Sequence, residues 1–220
     1  FYNRLVEAFR SYMLVGGMPE AVATYTETGS YRYSSDIVSE IIQGYQDDFA
    51  KYGAKANPLL LRQTLISVAH QAGAKFVYSR VEGQYRSAEV KVALEMLKDA
   101  GLIIPTYHTD ANGVPLGAEI NVRVVKYLIH DTGVLLGILG IDDDIDDSIK
   151  EMMVADSMNL VAKGHVAEMM AGLELIKYSS PQKRHQLYYW QNMNKGTCAE
   201  VDYVIARSGS IVPIEVKSGV

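Results

Sequence analysis

The chain has 220 residues, which is enough for one large domain or two small ones. With 48% hydrophobic and 21% charged residues it has the composition of a globular protein, and its net charge of -5 restricts any nucleic-acid site to a local patch. The single cysteine excludes an internal disulfide framework, and no apolar run approaches the ~20 residues of a membrane span. We therefore expect a cytoplasmic protein without a membrane partner.

The first 56 residues have the pattern of a helical segment. Apolar residues recur at helical spacing over 1–28, and Gly16-Gly17 followed by Pro19 divides this stretch into two predicted helices. A longer amphipathic helix is predicted over 32–52. The purely structural interpretation of residues 1–52 is a helical packing module.

Residues 57–133 follow the order of a winged helix-turn-helix. Asn57 and Pro58 predict the start of a helix that runs to about residue 71, and Ser87 is predicted to cap a second helix over 88–100. Two strand-like runs follow, at 102–104 and 120–124. Two helices and a two-stranded wing in this order predict a winged-helix domain.

The charge of this segment permits contact with DNA. Eight Lys or Arg and six acids lie between residues 57 and 130, so this part carries +2 while the whole chain carries -5. The second helix, however, alternates acids and lysines, and an acid-rich helix is a poor reader of the major groove. A winged helix that packs against protein is the alternative.

Residues 134–220 predict an α/β unit. The acidic run at 141–148 lacks the glycine and glutamate of a calcium loop, so a solvated loop is favoured. A helical pattern over 148–178 carries Gly164, His165 and Glu168, and three strands are predicted at 186–191, 199–206 and 210–216. A lone Glu or His on a helix is usually solvated or structural.

Charged residues interrupt the last two predicted strands. Asp202 lies in one, and Glu215 and Lys217 lie in the other, with twelve residues between Asp202 and Glu215. Strand alternation would place Glu215 and Lys217 on one face, beside Asp202. Two carboxylates and a backbone carbonyl suit Mg²⁺ or Mn²⁺, and a nearby lysine can orient a metal-bound water. The structural alternative is an ion pair at the end of a strand.

The motifs of the chain resemble a known family. The segments concerned are Lys163-Gly164 through Glu168, Glu200-Val201-Asp202 and Ile214 through Ser218, which look like the PD-(D/E)xK nuclease superfamily, notably its archaeal Holliday-junction resolvase branch. Together with Gly16-Gly17-Met18-Pro19, His130-Asp131-Thr132-Gly133 and Tyr189-Trp190, they resemble the C-terminal half of a prokaryotic family of AAA+-type P-loop ATPases. Val201 replaces the usual proline before the first acid, and the chain stops before the helix and strand that complete the nuclease fold.

The resemblance implies an α+β chain. It would have a helical segment over 1–56 that follows a missing ATPase core, a winged helix over 57–133, and a restriction-endonuclease-like domain over 134–220, truncated at its C-terminus. Asp202, Glu215 and Glu168 would hold Mg²⁺ or Mn²⁺, and Lys217 would assist the attacking water. ATP would bind only in the missing domain, because the chain contains no G-x-x-x-x-G-K-[ST] motif.

The predicted function is the C-terminal part of an ATPase that acts on DNA and carries a metal-dependent nuclease site. The expected partners are nucleic acid and the ATPase domain itself, through which the protein would form oligomers. Two alternatives stay open. The nuclease-like domain is inactive and binds DNA or protein, or the chain is a regulatory or oligomerisation module of the ATPase.

Overall fold

A computed structural model describes residues 2–51, 57–140, 163–178, 186–192 and 199–217. The architecture is α+β. The helices are α1 Tyr2–Val15, α2 Pro19–Thr28, α3 Tyr31–Lys51, α4 Pro58–His70, α5 Ser87–Asp99, α6 Thr132–Ile138 and α7 Lys163–Lys177. The strands are β1 Ile103–Thr109, β2 Ile120–Ile129, β3 Leu187–Gln191, β4 Glu200–Val201, β5 Tyr203–Arg207 and β6 Ser210–Ile214. Within these ranges, no helix is long and apolar enough to cross a membrane.

The predicted helices of the first half are confirmed, with one correction at an N-terminus. Gly16 ends α1 with φ 79°, and the Asn57 side chain accepts a hydrogen bond from the Leu59 amide at the start of α4. The helix α5 begins at Ser87, so Ser87 is not its cap. The Arg86 amide instead donates to Glu89 Oε2 at 2.8 Å, which satisfies that amide from within the first turn.

The two predicted strands of the wing belong to a larger sheet. Its strand order is β2-β1-β3-β4, with β1 antiparallel to β2 and parallel to β3. Thr106 is paired with Lys126 on one side and Leu187 on the other, so the sheet continues across the predicted boundary at 133/134. The strand β2 also runs to Ile129, five residues beyond the predicted end, because Val124 through Ile129 are mostly buried.

The strand predicted over 199–206 is interrupted at Asp202. The run predicted over 199–206 divides there into β4, which pairs with β3, and β5, which forms a separate two-stranded sheet with β6. The acidic run at 141–148, the first half of the helix predicted over 148–178, the turn at 179–181 and Cys198 lie outside the described residues.

The helix α7 packs closely over the sheet at a glycine. A Cβ built at Gly172 would overlap the Tyr203 hydroxyl and lie 2.7 Å from Leu128 Cδ1. The Tyr203 hydroxyl donates to the Glu168 carbonyl at 2.7 Å. Because glycine allows this approach, the turn of α7 that carries Glu168 is fixed over β2 and β5.

A buried carboxylate joins the N-terminal helices to the rest of the chain. Asp131 Oδ2 accepts from the Gly17 amide at 2.6 Å, and Asp131 Oδ1 accepts from the Val134 amide at 3.1 Å at the start of α6. Gly133 lies against the Val15 carbonyl. The two motifs that resemble the ATPase family, at 16–19 and 130–133, are therefore in direct contact across 114 residues of chain.

Two helical glycines predict opposite effects of alanine. At Gly133 a Cβ would overlap the Val15 carbonyl oxygen, and a backbone atom cannot rotate away. At Gly44, inside α3, a Cβ would meet nothing within 4 Å. We expect Gly133→Ala to lower the free energy of unfolding by about 1–3 kcal/mol through overpacking, and Gly44→Ala to raise it by about 0.5–1 kcal/mol through helix propensity. Urea denaturation measures both, and equal effects would contradict the geometry at Gly133.

Candidate functional site

A buried lysine lies between two of the acids of the C-terminal half. Lys126 Nζ lies 2.9 Å from Glu168 Oε1 and also forms an ion pair with Glu200 Oε1. The Lys126 side chain is 3% exposed, while those of Glu168 and Glu200 are 12% and 31% exposed. The three charges come from β2, α7 and β4, so the cluster joins the hairpin to the C-terminal half.

Strand register explains why these residues share one face of the sheet. Lys126 pairs with Thr106, and Thr106 pairs with Leu187 of β3. Tyr189 and Gln191 follow Leu187 at steps of two residues, and Gln191 pairs with Glu200. Since directly paired residues point to the same face, Lys126, Tyr189 and Glu200 all face α7. The Tyr189 ring lies under the ammonium, with its centroid 5.0 Å from Lys126 Nζ, a geometry that favours a cation.

The pKa values of Lys126 and Glu168 are both raised, but the main cause differs between the two groups. Burial lowers the pKa of Lys126, but the charges and hydrogen bonds of Glu168 and Glu200 outweigh it, so the pKa is raised. Burial raises the pKa of Glu168 above its ordinary value; Lys126 opposes this rise, while Asp202 and Glu200 add to it. Several carboxylates act on the one lysine, whereas Glu168 has a single lysine to offset its burial and the neighbouring acids.

Asp202 lies at the bend between β4 and β5. Its Oδ2 accepts a hydrogen bond from the Val216 amide at 2.8 Å, so the segment after β6 returns to it. Burial is the main cause of the raised pKa of Glu168, and the charge of Asp202 adds to it. The next residue, Tyr203, donates its hydroxyl hydrogen to the Glu168 carbonyl at 2.7 Å, so the chain at Asp202 lies against the turn of α7 that carries Glu168.

Glu215 and Lys217 lie beyond the end of β6, which stops at Ile214. Lys217 Nζ is bonded to Glu215 Oε2 at 2.8 Å, and their side chains are 77% and 47% exposed. The hydrogen bond with Glu215 raises the pKa of Lys217, and Asp202 makes only the last of the contributions. The observed strand β6 ends before these two residues, whereas the prediction over 210–216 included Glu215, and they form an ion pair of the kind given as the structural alternative.

The carboxylates in this arrangement do not fit a divalent metal ion. Glu168 is held by the ammonium of Lys126, Asp202 by the Val216 amide, and Glu215 by Lys217. Among the residues that the structure describes, no three His, Cys, Asp or Glu side chains come together as metal ligands. Mg²⁺ and Mn²⁺ require several free oxygen ligands around one point.

Sequence reasoning missed Lys126, Glu200, Tyr189 and His108 as members of this site. His108 Nδ1 and Tyr189 Oη are buried and have no hydrogen-bond partner among the described residues, and the His108 ring lies edge-on to Tyr189 with 5.6 Å between the ring centroids. Burial raises the pKa of Tyr189, and the charge of Glu200 adds to this. The available signal was a lysine inside the apolar run Val124 to Ile129, since a buried lysine needs an acid partner.

A separate open cleft of about 420 Å³ lies along α4. It contains none of the predicted site residues. The side chains that line it belong to one aliphatic residue and six polar or charged residues: Gln63, Ile66, Ser67, His70, Gln71, Arg80 and Glu82.

Comparison with known proteins identifies two domain families. Residues 163–220 match the domain of unknown function DUF4143, which is found in proteins associated with AAA-type ATPases. Residues 6–145 match the domain of unknown function DUF8612. No curated protein and no solved structure matches the chain. Because the match over 6–145 covers more than half of the 220 residues, the chain belongs to the DUF8612 family.

Proposed function

We propose that this chain is the C-terminal module of an AAA-type ATPase that acts on DNA, and that its nuclease-like half binds without cutting. The association of DUF4143 with ATPases supports the first part. In this proposal residues 57–133 act as a winged helix and residues 134–220 derive from a PD-(D/E)xK nuclease. ATP binds in another domain of the full-length protein.

The observation that carries the non-cutting function is the ion pair at Lys126. The order of α7, β3, β4, β5 and β6 supports a nuclease-derived unit, as does the hydrogen bond from Tyr203, the residue after Asp202, to the Glu168 carbonyl. A cutting site of this kind needs carboxylate oxygens that are free for a metal ion. Here Lys126 holds Glu168 and Glu200, and Glu215 pairs with Lys217 outside the cluster.

The exposed surface of the hairpin unit supports contact with DNA. On α5, Glu89 accepts from the Arg86 amide and Glu95 pairs with Lys98, so both acids already have partners. Lys91 on α5 and Arg123 on β2 are exposed. Cations of this kind contact phosphates and contribute to the salt dependence of binding.

The full-length protein should bind duplex, junction or flap DNA with an affinity that falls as salt rises. We expect Lys91→Ala/Arg123→Ala to weaken binding to all sequences and to lower the slope of log K against log salt by about two. Lys51→Ala, at the end of α3, is the matched control and should leave the slope unchanged. No cleavage is expected with Mg²⁺ or Mn²⁺.

Two other outcomes would replace this proposal. The hydrogen bond between Tyr203 and the Glu168 carbonyl, which holds the residue after Asp202 against α7, favours metal-dependent cleavage as the second candidate, and Mg²⁺-dependent cutting that disappears in Asp202→Asn would establish it. A regulatory or oligomerisation module would be established by two results together. The protein would bind no DNA at any salt concentration, and removal of this module would change the ATPase rate or the assembly of the full-length protein.

A further inference from the structure

We propose that the open cleft along α4 is a binding site for a small zwitterion, a ligand that carries both an ammonium group and a carboxylate, as a free amino acid or a short peptide does. The cleft has a volume of about 420 Å³, within the range of roughly 300–1,000 Å³ that small-molecule sites occupy. The inference concerns a part of the molecule that the proposed function does not use, and it is independent of that function.

One wall of the cleft is a single face of α4. Gln63, Ser67 and His70 recur there at spacings of four and three residues. Ser67 is 5% exposed, and its Oγ accepts a hydrogen bond from Gln71 Nε2 at 2.9 Å. The hydroxyl hydrogen of Ser67 is therefore left to donate to an oxygen atom in the cleft. This wall offers an amide, a hydroxyl and an imidazole to a polar ligand.

The other wall is fixed to α4 by the buried side chain of Gln71. Its Oε1 accepts from the Val77 amide at 2.7 Å, and its Nε2 also donates to the Val77 carbonyl at 3.3 Å. A short 3-10 helix follows and ends at Arg80, and the next side chain, Val81, is 4% exposed. The backbone at Arg80 and Glu82 is therefore held in place beside α4, which lowers the free-energy cost of ordering the site around a ligand.

Arg80 and Glu82 bring opposite charges to the cleft. Both residues are exposed, and neither side chain forms an ion pair or a hydrogen bond with another residue that the structure describes. The guanidinium of Arg80 presents paired N–H donors that fit a carboxylate, and the carboxylate of Glu82 accepts from an ammonium. A ligand with both groups satisfies both side chains, whereas a ligand with one charge also meets a like charge.

The remaining chemistry of the lining favours an aliphatic zwitterion over a nucleotide. Among the described residues, the lining has one aliphatic side chain, Ile66, and no phenyl, phenol or indole ring on which a nucleobase could stack. Glu82 also repels a phosphate group. Ile66 can contact a short aliphatic side chain, so leucine and the dipeptide glycyl-leucine are suitable probes.

The test measures binding of these two probes to the full chain by ligand-observed NMR. We expect a Kd on the order of 1 mM for a small ligand in an open polar cleft. N-acetyl-leucine lacks the ammonium and leucinamide lacks the carboxylate, so each should bind about tenfold more weakly than leucine. Tighter binding of leucine than of glycyl-leucine assigns the site to free amino acids, and the reverse order assigns it to peptides.

Two variants locate the binding at this cleft. Arg80→Gln should weaken leucine binding about tenfold and leave the affinity for leucinamide unchanged, whereas Glu82→Gln should weaken leucine binding and leave the affinity for N-acetyl-leucine unchanged. Because both side chains are exposed, neither variant should change Tm. Arg62→Gln and Glu40→Gln change exposed residues outside the lining and are the matched controls.

Four results would overturn the inference. The first is that neither zwitterion binds, and the second is that loss of the ammonium or of the carboxylate leaves the affinity unchanged. The third is that Arg80→Gln and Glu82→Gln bind leucine as the two control variants do. The fourth is that AMP binds more tightly than both zwitterions, since this would show a nucleotide site instead.

Discussion

Replacing Lys126 with methionine is expected to lower the free energy of unfolding by about 3–5 kcal/mol at pH 7 in the absence of divalent ions. The lysine is 3% exposed, and its removal leaves Glu168 and Glu200 without their shared cation. Chemical denaturation measures the loss. Lys98→Met is the matched control, because its partner Glu95 is half exposed, and surface pairs contribute only about 0–1 kcal/mol.

The pH dependence of this loss follows from Glu168. Its pKa is already raised by burial, and Lys126 is the group that opposes the rise. In Lys126→Met the folded state therefore binds more protons than the unfolded state between the ordinary pKa of the carboxyl and its raised value. Stability of the variant should fall as pH rises through that window and recover at acidic pH. A loss independent of pH would contradict the role of these carboxylates.

Replacing Asp131 with alanine is expected to lower the free energy of unfolding by about 3 kcal/mol or more. The change removes the acceptor of the Gly17 and Val134 amides, and it leaves both donors without a partner at a site where Asp131 is 7% exposed. It also removes the cap of α6, so the carboxylate that bonds both the chain after α1 and the start of α6 is lost. Urea denaturation of the full chain measures the effect.

The loss expected for Asp131→Ala can be compared with the losses expected for two other variants. Asp131→Asn keeps one acceptor oxygen and should cost less, about 1–2 kcal/mol. Asp110→Ala changes an exposed acid in the hairpin connection and should stay within about 0.5 kcal/mol. If Asp131→Ala behaves like Asp110→Ala, the contact between the motifs at 16–19 and 130–133 does not hold the N-terminal helices in place.

Local sequence signals predicted the helices well. Glycine at the end of α1, Asn57 with Pro58 at the start of α4, and the apolar stripe of α3 act within a few residues, and the helices are found where these signals place them. The start of α5 was wrong by one residue, because Glu89 satisfies the Arg86 amide and allows Ser87 into the helix. Such competition between neighbouring caps is decided by small energies.

The last strand shows the limit of alternation as a signal. The pattern through Lys217 predicts a continuous strand, but the Val216 amide donates to Asp202, and the β5–β6 ladder ends at the Tyr203–Ile214 pair. Glu215 and Lys217 then turn to each other and to solvent. A side-chain acceptor fourteen residues away competes with the ladder, and periodicity in the sequence cannot reveal it.

The sequence by itself predicted α1 to α5 and the described part of α7, most of the strands in chain order, and Glu168 and Asp202 as candidates, since these depend on local patterns and on motifs. It did not predict α6 or the division of the run 199–206 into β4 and β5. Only the tertiary structure placed Lys126 among the carboxylates, because that placement depends on the parallel pairing of β1 with β3 across about eighty residues. It also joined Asp131 to Gly17. The free energy of a buried charge is set by which partners the fold brings to it, and the sequence near Lys126 contains none of them.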